Sequence, residues 1–264
     1  MACLDRAPRL NLHLTDQVLR LGEPARRGEP GPELMGAWRG REVVSILGIQ
    51  PTVVLDASAD SEAAAAFLPY LAGVGAGLIK GLEDAVDPVW EWLEARGRRA
   101  ILDRIENAYA LEPGAMPPVS VPAGAVFRPA RLEDLDALVI ASRESLLEES
   151  RPDPSVGDPA GFRRWVRSRI SRARVGELDG RLVFVGYADV QCVRGCLLQG
   201  IYTWKDARRG GIAAAGVEAL CQAAFAAGAD HVQLAVVDGN VPAERLYEGL
   251  GFTRYARLRT LLFG

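Results

Sequence analysis

The sequence predicts a mixed α+β protein built as two successive domains. Strand-like and helix-like stretches alternate along most of the chain, the pattern of an α/β or α+β architecture. A run rich in Pro and Gly and without periodicity, Leu111 to Gly124, interrupts that alternation. The composition, 49% hydrophobic and 25% charged over 264 residues, is that of a globular chain long enough for two cores. The boundary is expected inside the Pro/Gly run, giving a smaller α/β domain at 1–118 and a second domain at 119–264.

In the first domain, two short apolar runs between Met35 and Leu47 surround Arg39-Gly40, a hairpin signal. Pro51 to Asp56 is expected as a strand and Ser61 to Leu71 as an Ala-rich helix. The glycines of Gly73 to Gly77 lack the Lys-Ser or Arg-x-x-Gly-x-Gly company of a phosphate loop and predict a tight turn into a strand at Leu78 to Lys80. A helix follows over 83–95, its Trp90 and Trp92 expected to pack, and then a strand at Arg99 to Leu102. The second domain opens with a strand at Ala125 to Pro129 and helices at 132–147 and 160–173. A hairpin over 175–190 is closed by Asp179-Gly180, the strongest short turn signal in the chain. In its second strand Leu182, Phe184, Ala188 and Val190 share one face and Tyr187, Asp189 and Gln191 the other.

Charge and cysteine content exclude several functions. A formal net charge of -3 argues against nucleic-acid binding, which needs excess Lys and Arg to displace counterions. No apolar run is long enough to span a bilayer, and the first twenty residues lack the apolar core of a secretory signal. Cys3, Cys192, Cys196 and Cys221 are too sparse for a disulfide framework, so a reduced, cytoplasmic protein is expected. Cys192 and Cys196 flank a turn and are candidates for a cross-strand contact. With two histidines, His13 and His231, and no C-x-x-C pair, no metal site is expected.

The most informative stretch is Trp204 to Ala213. A strand rich in aromatic and β-branched residues, Cys196 to Trp204, runs through Lys205, Asp206, Ala207, Arg208, Arg209, Gly210 and Gly211 into a helix with Ala213, Val217, Leu220 and Ala224 on one face and Gly228 at its end. Two residues without Cβ let the backbone approach a ligand, and the free amides of Arg209, Gly210, Gly211, Ile212 and Ala213 at a helix start would cradle phosphate oxygens, with Arg208 and Arg209 at the rim. A plain strand-to-helix turn with a solvated Arg pair stays open on these residues alone. Neither a Walker loop nor a dinucleotide fingerprint is present. About thirty residues on, a strand from His231 to Val237 precedes Asn240, Pro242, Ala243, Leu246, Tyr247, Gly251 and Phe252, a short helix with Pro in its first turn and Gly at its end.

Arg208-x-x-Gly211-x-Ala213 followed by Asn240-x-x-Ala243-x-x-Leu246-Tyr247-x-x-x-Gly251-Phe252 resembles the two signature segments of the GNAT acyltransferase superfamily, in the right order and separation. The resemblance covers the chain from Val126 onward. It implies a central mixed, mostly antiparallel sheet flanked by helices, with acetyl-CoA as co-substrate, its diphosphate on the Arg208 to Ala213 loop and its pantetheine arm along the backbone of Ile201, Tyr202 and Thr203. The first domain lacks both segments and resembles the degenerate amino-terminal domain of tandem members.

Acyl transfer from a thioester to an amine needs a fixed donor, a neutral amine and a proton for the leaving thiolate. By the resemblance Tyr247 supplies that proton, its phenol being still protonated at neutral pH; core packing with Ala243, Leu246 and Leu250 is the alternative. Asn240 is expected to hydrogen-bond the pantetheine arm, or to cap the helix, or both. No base stands out: the strand before the loop offers Gln199 where some members carry Glu, leaving Asp189, Glu144, Glu148 and Glu149 as candidates acting through water. The acceptor side carries Glu148, Glu149, Asp153 and Asp158 and then Arg163, Arg164, Arg167, Arg169, Arg172 and Arg174, so a cationic amine and an acidic acceptor are both compatible. The expected partners are acetyl-CoA and an amine, with a homodimer left open, and a non-catalytic acyl-CoA-binding module is the competing function.

Overall fold

The computed structural model describes residues 1–22, 31–50 and 52–264. In chain order the elements are α1 (Leu12–Leu19), β1 (Glu33–Arg39), β2 (Glu42–Gln50), β3 (Val54–Leu55), α2 (Ser61–Leu71), β4 (Gly77–Leu82), α3 (Glu83–Glu94) and β5 (Ala100–Leu111). There follow β6 (Ala125–Pro129), α4 (Leu135–Glu148), α5 (Pro159–Ser168), β7 (Ala173–Leu178), β8 (Arg181–Cys192), β9 (Gly195–Thr203), α6 (Ile212–Ala226), β10 (Val232–Val237), α7 (Val241–Gly249) and β11 (Thr253–Phe263). Two compact units result. The first comprises 1–108, 236–238 and 255–264, and the second 109–235 and 239–254.

In the first unit β1, β2 and β3 form a small sheet, β1 antiparallel to β2 and β2 to β3. Gly40 turns the hairpin with φ 65°, a conformation that costs glycine nothing. Phe67 and Leu71 of α2 pack with Leu47, Val53 and Leu55. Leu14 of α1 packs with Cys3, Leu4, Ile46 and Val54. A buried Asn11 ties this start of the chain down, donating 2.8 Å to Asp56 and accepting from the Ala57 amide at 2.8 Å. The expected strand at 51–56 shrinks to Val54 and Leu55, and its first residue, Pro51, lies outside the described residues. The last strand of the chain, β11, pairs antiparallel with β4 over 258–263. Trp90 of α3 packs on Phe263 at 6.1 Å as a core side chain, and Arg96 stacks on Trp92 at 3.5 Å.

The 99–102 strand is longer than expected. β5 extends to Leu111, because Glu106 is not a solvated charge but a buried carboxylate paired with Lys80 and, at 2.6 Å, with Arg104. Burial alone would raise its pKa; the two cations overcome that and bring it to about 2.

In the second unit the strand order is β10-β9-β8-β7-β6, antiparallel except for β9 beside β10. The 175–190 hairpin closes with positive φ at both Asp179 (52°) and Gly180 (77°). Helix α6 lies against one face of β8. A Cβ on Gly216 would come within 2.5 Å of the Phe184 ring, and one on Gly186 within 2.6 Å of Leu220, so both glycines let helix and strand close up. The other face of β8 is covered by α4 and α5, with Leu138, Ala141, Phe162 and Val166 around Val185 and Tyr187. Phe184 and Tyr187 thus face opposite layers, as the alternation predicts, but Leu182, expected beside Phe184, packs with the Tyr187 layer, the β7–β8 ladder shifting register between Gly176 and Glu177. The helix expected at 160–173 ends at Ser168, where the chain makes a 3-10 turn through Ile170–Arg172 and enters β7. Its end is set by Arg169, a buried guanidinium stacked on Tyr187 at 4.0 Å and on Trp165 at 4.5 Å. All four cysteines are free; Cys192 stands opposite Gly195 and Cys196 opposite Gln191. Among the described residues no helix is long and apolar enough to cross a membrane.

Candidate functional site

The loop between β9 and α6 is built by backbone conformation. After a 3-10 turn at Lys205–Ala207, Arg209 and Gly211 take left-handed φ of 65° and 82°, with Gly210 between them. Gly211 occupies the N-cap position of α6, and no side chain caps the helix. The first amides of a helix have no intrahelical acceptor, so those at the start of α6 are left for a ligand or water, at the positive end of a 15-residue dipole. A Cβ on Gly211 would stand 3.6 Å from Pro122 Cγ and 4.0 Å from the Ser120 carbonyl. The Pro/Gly run therefore borders this loop, a placement that no motif signals.

Of the Arg pair, Arg208 is not a free solvated side chain. Arg208 donates to the Thr203 carbonyl at 2.9 Å, lies 5.3 Å from the Tyr202 ring and grips both oxygens of Glu148 at 3.0 and 2.9 Å. Lys205 also reaches Glu148, at 3.5 Å, and Glu144 at 3.6 Å. The end of α4 thus binds the loop through charge.

The strand before the loop is opened on both sides. Against β8, Val185 pairs with Tyr202 and Tyr187 with Gln199, which leaves one extra residue in β9 where Gly200 has φ 57°. Against β10, pairing is confined to Val232 with Cys196 and Gln233 with Leu197. Ile201, Tyr202 and Thr203 lie beyond that point, so among the described residues their main chain on the β10 side is not engaged in the ladder.

Asn240 accepts from the Ala243 amide at 3.4 Å, the cap that the sequence allows for. Tyr247 is buried, with Phe252 edge-on at 5.8 Å. Burial pushes its phenol pKa up, with lesser upward contributions from Cys221 of α6 and Glu149 at the end of α4. Tyr247 is therefore neutral at pH 7 and a weaker acid than a phenol in water.

The candidate bases are all ion-paired. Asp189 sits at the extra residue of a second irregularity, in β8, between Arg169 and Arg172. Glu144, Glu148 and Glu149 are held by Arg143 and Lys205, by Arg208 and Lys205, and by Arg151 respectively. The two charged stretches of the acceptor side meet where Arg164 binds Asp158 at 3.6 Å, while Asp153 is bound by Arg143 at 2.5 Å and Arg163 binds Asp136. The roles of Arg169, Arg172 and Lys205 leave no trace in the motifs.

The sequence model of the Acetyltransferase (GNAT) family matches residues 137–252, a span that holds both signature segments. No protein in a search of the curated proteins matches. Among solved structures, a Drosophila protein superposes with a TM-score of 0.74 at 15% identity, over 98% of this chain and 95% of its own. A GCN5-related N-acetyltransferase from Kribbella flavida gives 0.58 at 19% identity, over 97% and 95%. A tandem GNAT protein from the clavulanic acid biosynthesis pathway gives 0.52 at 15%, over 98% and 95%. At these identities the likeness is one of fold, and it extends over both units. The family match, falling on the loop and the Tyr247 helix described above, shows that this chain carries a GNAT acetyltransferase domain at residues 137–252.

Proposed function

We propose that the protein is an N-acetyltransferase that carries an acetyl group from acetyl-CoA to a primary amine, of a small molecule or a protein, by direct attack in a ternary complex. The observation that carries this reading is the Arg208 to Ala213 loop, where left-handed Arg209 and Gly211 lead into a helix with no side-chain cap. Such a cradle of free amides fits a diphosphate, and its left-handed φ of 82° at Gly211 suits glycine. The backbone of Ile201, Tyr202 and Thr203, released from β10, suits the amide groups of a pantetheine arm, and an amide there would stabilise the oxyanion formed on attack. Asn240, already capping α7, stands at the start of the helix that carries Tyr247. Acetyl-CoA supplies the activated thioester; the chain positions it and moves the proton.

Tyr247 is assigned the proton that goes to the departing thiolate. Its raised pKa keeps it protonated at working pH, so the thiolate must be the stronger base for the proton to pass. The site is assigned to the domain after the linker, 119–264, with 1–118 as a degenerate copy that lacks the loop, in a cytoplasmic protein.

One observation favours the second reading, an acyl-CoA-binding module without turnover: each of Asp189, Glu144, Glu148 and Glu149 is engaged by a cation. Thiol release from acetyl-CoA, measured across a panel of small amines and amino-terminal peptides, separates the two. Amine-dependent release supports transfer; tight acetyl-CoA binding without release under every amine identifies the module.

A further inference from the structure

In the first unit β1 is the outer strand of its three-stranded sheet, and among the described residues it pairs only with β2. The two irregularities in the β1–β2 ladder place their extra residues, Val44 and Ile49, in β2. Strand β1 itself is therefore regular, and it contains neither Pro nor Lys to blunt its free edge. Six consecutive β1 residues, from Leu34 to Arg39, and Val44 of β2 line a groove of about 430 Å³ whose other wall is α2. The groove follows six of the seven residues of β1. Two large apolar side chains are left in the open here, Trp38 at 65% and Tyr70 at 59% exposure.

We propose that this edge is a dimerisation surface whose occupant is the β1 edge of a second copy of the chain. The seven residues of β1 are self-complementary about Gly36. Antiparallel pairing across a two-fold axis sets Glu33 opposite the partner's Arg39, Leu34 opposite the partner's Trp38 and Met35 opposite the partner's Ala37. Every charged residue of the strand then meets its opposite, and both apolar pairs are hydrophobic on both sides. Within one protomer Arg39 binds Asp60 at 3.1 Å and Glu62 at 2.7 Å, both through Nη2, and Glu33 accepts from Gln50 at 3.0 Å. These contacts lie on exposed side chains and hold them weakly, leaving the other guanidinium nitrogens of Arg39 for the partner. The result is a six-stranded sheet across the axis with an α2 helix from each copy beside the seam.

Sedimentation velocity of the full chain over a range of micromolar concentrations tests this. The wild type is expected to dimerise, and Arg39→Glu, which sets like charges face to face twice, to raise the dimer dissociation constant by roughly tenfold or more. Adding Glu33→Arg to that variant restores both pairs and the wild-type constant, which loss of the Asp60 and Glu62 contacts alone would not allow. A mixture of the Arg39→Glu chain with the Glu33→Arg chain forms the heterodimer in preference to either homodimer. Should Arg39→Glu lose its fold by circular dichroism, Glu33→Arg alone carries the same reading. A wild type that stays monomeric, a dimer indifferent to both single changes, or a charge swap no tighter than the single variants overturns the proposal.

Discussion

Two glycine-rich turns in this chain invite the same interpretation, and their difference shows what a phosphate cradle requires. Gly73, Gly75 and Gly77 follow α2 and lead into the strand β4 without a positive φ among them. Gly210 and Gly211 follow β9 and lead into α6 through a left-handed Gly211. An added Cβ meets nothing within 4 Å at Gly73 or Gly75, and at Gly210 and Gly211 only neighbours at ordinary contact distance, 3.8 and 3.6 Å. The second alone ends on a row of amides with no intrahelical acceptor and an aligned helix dipole. Glycine content permits close approach; the element that follows decides whether there is anything to approach.

The largest expected effect breaks that contrast directly. Gly211→Asp puts a side chain where φ is 82° and a carboxylate where a diphosphate should lie, so calorimetry should find no coenzyme A binding, while Gly75→Asp should bind as the wild type and shift unfolding by less than about 0.5 kcal/mol. Equal binding by both variants would remove the basis for the proposed site.

The same contrast extends to stability. Each unit holds a carboxylate between two cations, Glu106 between Lys80 and Arg104 and Asp189 between Arg169 and Arg172. Because the folded pKa of Glu106 is depressed from 4.5 to about 2, its contribution is present above pH 4.5 and is lost as pH falls toward 2, by up to about 3 kcal/mol. Glu106→Gln should destabilise by a similar ~3 kcal/mol at neutral pH and flatten the stability curve across that window, as followed by urea unfolding. An unaltered acid limb would mean that this carboxylate is not what the fold loses in acid.

A third effect is expected in turnover alone. Tyr247→Phe should lower kcat by about a hundredfold and leave acetyl-CoA affinity near the wild-type value, since the ring and its contact with Phe252 are kept. A variant at full rate would make the phenol dispensable. The smallest effect is expected for Arg208→Ala, because any bond the guanidinium makes to a ligand is traded against the one it has with Glu148. Coenzyme A affinity should fall by less than about tenfold, more at low salt than at high. A loss of a thousandfold would show Arg208 to be the principal anchor.

The sequence by itself was enough for the local elements whose causes are local. Asp179-Gly180 specifies a turn because both positions need positive φ, Pro242 and Gly251 bracket α7, and the spacing of two short motifs identifies the domain they belong to. Elements whose ends depend on distant partners were not legible. Strand β5 runs on through Glu106 because Lys80 and Arg104 make a buried carboxylate tolerable, and α5 stops at Ser168 because Arg169 turns inward onto Tyr187 and Asp189. Only the tertiary structure assigns the last strand to the first unit, brings Ser120 and Pro122 beside Gly211, and turns the rim arginine Arg208 toward Glu148. Turn and capping preferences act within a few residues and can be read in order, whereas the desolvation of a charge is settled by whichever group the folded chain places next to it.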